Sequence, residues 1–120
     1  MVRAPVPAAA TAKAANPWTA IAQQAIDAAQ GVLGRKWGTV VHGATIQIKL
    51  LTDTAQYIAE HKEEMSPVEY KAVIDQQKLS LQAVLLMYEE IGIVLAQQAV
   101  AQVWQVIGAA LKAAVGIVIK

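Results

Sequence analysis

The chain has 120 residues, enough for one domain with a modest core and too few for two. Hydrophobic residues make up 56% against 16% charged, which excludes disorder for most of the chain. The absence of cysteine removes disulfide frameworks, zinc knuckles and thiol catalysis together, and a formal charge of +1 gives no global attraction to nucleic acid.

Residues 1–16 carry two of the four prolines, several alanines and no acid. Pro5, Pro7 and Lys13 interrupt any continuous apolar run, so this stretch reads as a flexible basic arm and not as a secretory signal. Asn16-Pro17 then opens a helix over about 17–33, with Asn as N-cap and Pro at the first helical position. Thr19, Gln23, Asp27 and Gln30, with Gln24 beside them, form a polar stripe. Trp18, Ile21, Ala22, Ala25, Ile26, Ala29, Val32 and Leu33 cover the rest. Gly31, Gly34 and Gly38 predict a break around Arg35-Lys36.

From Trp37 the apolar residues step by 4 and 3 through Val41, Ala44, Ile48, Leu51, Ala55 and Ile58, a heptad seam on a helix over about 37–64. Thr45-Ile46-Gln47-Ile48-Lys49-Leu50 also alternates like a strand. It would form only an isolated hairpin, which is marginal in water, so the helical period is preferred. The hairpin turn is expected at Met65-Ser66. Ser66 caps, Pro67 takes the first turn, Glu69 completes a capping box, and Met65 and Tyr70 occupy the staple positions.

No proline follows Pro67, which predicts one long helix over about 67–118, with Gly92 as a point of bending. Its seam runs Tyr70, Ile74, Gln77, Leu81, Val84, Tyr88, Ile91, Leu95. Continued in the same steps it becomes Gln98, Gln102, Gln105, Ala109, Lys112. In that phase the helix turns inside out near Ile91: Val100, Val103 and Ile107 face outward and the glutamines face neighbouring helices. Residues 91–111 are 21 positions without formal charge, about 31 Å of helix against about 30 Å of bilayer hydrocarbon. Lipid favours such an arrangement, because polar side chains are tolerated there against one another or along a wet lumen. A soluble helix with a wide buried face and a solvated glutamine stripe gives the same letters. Folding back about residues 65–66 sets the 17–33 helix beside this uncharged run.

The charges are segregated. Between Asp53 and Glu90 eight acids face three lysines, a net of −5, while the remainder carries seven bases against Asp27, a net of +6. That asymmetry points to association with a charged surface or another subunit.

Candidate sites are few. Gln98, Gln102, Gln105 and Lys112 are assigned to a channel or helix-interface stripe. Arg35, Lys36, Trp37 and Trp104 are assigned to a membrane interface, where cations and indoles favour the headgroup region. Met65, Ser66, Pro67, Glu69 and Tyr70 form the turn. Glu60-His61-Lys62-Glu63-Glu64 lacks the Glu-x-x-His pairs of a di-metal bundle, His42 has no catalytic neighbour, and the segment 31–36 lacks phosphate-loop spacing. No metal, cofactor, small-molecule substrate or nucleic-acid partner is expected.

These observations predict an all-α fold: a shorter N-terminal helix and a long antiparallel, coiled-coil-like helical hairpin that assembles as an oligomeric bundle. The expected function is non-enzymatic. It is that of a membrane-active homo-oligomer whose apolar base inserts in a bilayer around a Gln-lined channel. The alternative is a soluble assembly component, such as a scaffold, filament or phage virion protein, burying the same faces against other subunits. Membrane association or residence within a virion are the corresponding locations.

Overall fold

A computed structural model describes residues 16–116, all of whose regular structure is helical. The expected N-terminal arm lies outside the described residues except for Asn16. Four helices follow in order: α1 (Pro17–Leu33), α2 (Trp37–Glu60), α3 (Pro67–Leu86) and α4 (Ile93–Val115). A single 3₁₀ turn, Gly34–Lys36, joins α1 to α2.

The starts of α1 and α3 have a local cause. Asn16 Oδ1 accepts a hydrogen bond from Trp18 N–H at 3.0 Å, and Pro17 follows at the first helical position. Ser66 and Glu69 close the capping box reciprocally, at 2.8 Å from Ser66 N–H to Glu69 Oε1 and 3.2 Å from Glu69 N–H to Ser66 Oγ. At the end of α1, Gly34 takes φ +57°, a backbone region that glycine enters without steric cost, and its N–H bonds Gln30 O.

The polar stripe on α1 is exposed throughout, while Trp18, Ala25, Ile26, Ala29 and Leu33 are buried. On α2 the heptad positions Ala44, Ile48, Leu51, Ala55 and Ile58 are buried, joined by Val40 and Thr52, so the segment 45–50 is helix and not strand. The Thr52 hydroxyl is satisfied by donating to Ile48 O at 2.9 Å. α2 ends at Glu60, four residues before the expected boundary, because His61 to Met65 form the turn.

The principal departure from the sequence reading is in the second arm. The single long helix expected over about 67–118 is two helices separated by residues 87–92. Turn bonds carry the chain through this break, from Met87 N–H to Val84 O, Tyr88 N–H to Leu85 O and Ile91 N–H to Tyr88 O. Ile91 is buried and pins the break to the core, and Gly92 takes extended backbone as the N-cap of α4.

A helix that restarts has a new phase. The core face of α4 is Ala96, Ala99, Val100, Val103, Ile107 and Leu111, set on its own period of 3 and 4. Gln98, Gln102, Gln105 and Lys112 are exposed on the opposite side. The expected inversion near Ile91, with glutamines inward and valines outward, is therefore not what this subunit adopts. It came from carrying the α3 heptad phase across six residues that are not helical.

α4 packs most extensively on α1. α2 and α4 each pack against the other three helices, and α2 also packs along α3. The body measures 47 × 33 × 19 Å. Gly43 of α2 lies against α3: a Cβ built there would stand 2.9 Å from Val84 Cγ1 and 3.9 Å from the Tyr88 hydroxyl. Lys36 Nζ donates to Glu90 O at 2.8 Å, tying the α1–α2 turn to the α3–α4 break.

Candidate functional site

The turn residues assemble as one unit. Besides the capping box, the Tyr70 hydroxyl donates to Lys62 O, and Met65 packs against the core that Tyr70 enters. His61 stacks on Tyr57 with ring centroids 3.9 Å apart, and its Nδ1 lies 2.9 Å from Tyr57 O, within the last turn of α2. Glu60 receives Gln56 Nε2 at 3.1 Å. The side chains of Glu60 and His61 therefore engage the last turns of α2. Glu69→Ala removes the carboxylate that accepts from Ser66 N–H and the negative charge in the first turn of α3, while Ser66 Oγ still accepts from the backbone N–H of residue 69. It should lower the unfolding free energy by about 1 kcal/mol in urea denaturation.

The proposed interface residues are dispersed. Arg35 is exposed in the 3₁₀ turn, Lys36 holds Glu90 O, and Trp37 is half-buried at the start of α2. Trp104 sits elsewhere, half-buried on α4. The Lys78 ammonium lies 5.1 Å from its ring centroid, and its indole covers Gly108, where a Cβ would come within 2.8 Å of Cε2. Gln98, Gln102, Gln105 and Lys112 share one solvent-facing stripe of α4.

Two concave surfaces flank α2, and a third, of about 280 Å³, lies between α3 and α4 beside Lys78, Leu79 and Val100. Between α1 and α2 lies a cleft of about 280 Å³ that includes Trp18, Ile26 and Thr52 in its lining, with Gln23, Lys49, Asp53 and Gln56 among its polar residues. Between α2 and α3 lies a more apolar groove of about 370 Å³ lined by Leu50, Asp53, Thr54, Tyr57, Ile58, Met65 and Val73. Asp53 lines both, so the outer face of α2 forms the ridge that separates them.

That ridge is the feature the sequence reading missed. Ile46 is 58% exposed, Leu50 45% and Tyr57 55%. Together with Asp53 they step by 4, 3 and 4, a second heptad seam on the side of α2 away from the first. The signal was present in the spacing, but the regular inner seam already accounted for a helix here. A second apolar group follows the α3–α4 corner: Leu79, Leu86, Met87, Ile93 and Val94 are all exposed. Single exposed apolar residues are ordinary on protein surfaces, and large contiguous apolar patches are not.

Comparison with known protein families, with curated protein sequences and with solved structures finds no match to this chain.

Proposed function

We propose that this chain is a structural subunit rather than an enzyme, and that it acts in water by packing against copies of itself in a larger assembly. The observation that carries this reading is the exposed apolar seam Ile46, Leu50 and Tyr57 on α2, beside a groove able to receive apolar side chains. A scaffold, filament or virion component is the kind of protein this describes. Apolar side chains on a helix ridge gain by leaving water against a second helix, at about 25 cal/mol per Å² removed. Sedimentation equilibrium in aqueous buffer without detergent tests the proposal. The chain should remain soluble and self-associate reversibly, and a strict monomer up to high micromolar concentration would overturn it.

A second reading is kept because α4 is long and apolar enough to cross a membrane. By composition alone the core helix of a soluble protein gives the same signal. In this reading α4 leaves α1, presents Val100, Val103 and Ile107 to lipid, and turns Gln98, Gln102 and Gln105 toward neighbouring helices around a channel. Its distinguishing result is flotation of the chain with phospholipid vesicles and loss of conductance in Gln102→Leu.

A further inference from the structure

The outer face of α2 carries more than apolar surface. Within the seam Ile46, Leu50, Asp53, Tyr57, one position of four is an acid, and Lys49 flanks it on the side toward the α1–α2 cleft. Neither the Lys49 ammonium nor the Asp53 carboxylate has an ion-pair or hydrogen-bond partner among the described residues, although the two stand four apart on one helix. By contrast Lys71 and Asp75, with the same spacing on α3, are paired at 2.6 Å. An acid left unpaired in an apolar seam opposes burial unless the covering surface brings a cation to it.

We infer that the covering surface is the same face of a second copy of this chain, in an antiparallel pair of α2 helices about a twofold axis. This rests on the reading of the chain as a self-associating subunit. An isologous contact requires a self-complementary patch, and the seam meets that requirement in one register. With the axis at the level of Leu51 and Thr52, Ile46 of each copy lies across from Tyr57 of the other, and Leu50 lies across from Asp53. Ile46 of each copy is then brought to the end of the α2–α3 groove lined by Tyr57, Met65 and Val73. Lys49 falls within one residue's rise of the level of Asp53 of the other copy. It is also on the flank adjoining that seam position, so two symmetric Lys49–Asp53 pairs form. A parallel pairing sets each aspartate against its own counterpart, and like charges face each other.

The test is charge reversal in the full-length chain, read by sedimentation equilibrium, with melting temperature as the check on folding. Both side chains are exposed, so Lys49→Glu and Asp53→Lys should each leave the melting temperature unchanged when it is measured at concentrations too low for self-association. Each alone sets like charges across both symmetric contacts and should weaken self-association by about tenfold or more. An equimolar mixture of the two variants restores opposite charges at both contacts in the heterodimer and should associate within about threefold of the unaltered chain. The double variant Lys49→Glu with Asp53→Lys should do the same. If the unaltered chain associates and the single variants match it, or the mixture stays as weak as its components, the α2 pairing is wrong while the assembly reading stands. If the unaltered chain is monomeric, both fall.

Discussion

Ile107→Ala is expected to lower the unfolding free energy by about 3 kcal/mol, while Gln102→Ala changes it by no more than about 0.5 kcal/mol. Ile107 has no solvent exposure, and shortening it removes buried methylene groups and leaves a cavity between α4 and the helices it packs against. Gln102 is exposed on the far side of the same helix, where its amide bonds water before and after substitution. Native stability is of order 5–15 kcal/mol, so the first change is a large part of the whole and the second is lost in error. Urea denaturation of the purified variants measures both. The opposite ranking, a harmless Ile107→Ala and a damaging Gln102→Ala, is what an inverted α4 would give.

Gly43→Val should be similarly damaging, with a loss of about 3 kcal/mol. Even a single Cβ at position 43 would approach Val84 Cγ1 to 2.9 Å, and a valine adds two further methyl groups on a stiff side chain. Neither valine has another good rotamer in a helix, so α2 and α3 must separate. The milder Gly43→Ala combines the same first clash with a gain in helix propensity of about 1 kcal/mol, so its net cost is smaller. The diagnostic is coupling: Val84→Ala costs stability in the native background but should recover part of the loss in a Gly43→Val background. Additive effects of the two substitutions, measured by thermal or urea unfolding, would mean that this contact does not hold α2 and α3 at their separation.

The starts of α1 and α3 were legible because their chemistry is local. Asn16-Pro17 and Ser66-Pro67-Val68-Glu69 satisfy backbone donors within three residues, and nothing distant alters that. The inner seam of α2 was legible because 24 uninterrupted helical residues keep one phase. The break at 87–92 was not. Proline is absent there, Gly92 is its only glycine, and the apolar Ile91 lies on the extrapolated seam and is buried for a different reason, as the pin of a non-helical link. Once the break was missed, every face of α4 was assigned from the wrong phase. Ala96, Ala99, Val100, Val103, Ile107 and Leu111 read alone would have given the correct core face. The outer seam of α2 is hidden behind the inner one, which by itself accounts for a helix, and its use depends on what lies opposite it.

The preference of α1 for α4 has a consequence during synthesis. α2 and α3 can close on each other once residues 67–86 have followed the turn, but Leu33 and Ile93 are separated by sixty positions. At about 5–20 residues per second, the ribosome needs roughly 3–12 s to deliver the partner that covers Ala25, Ile26, Ala29 and Leu33. During that interval the nascent chain displays an uncovered oily helix, open to the wrong partner, including the α4 segment of a neighbouring nascent chain.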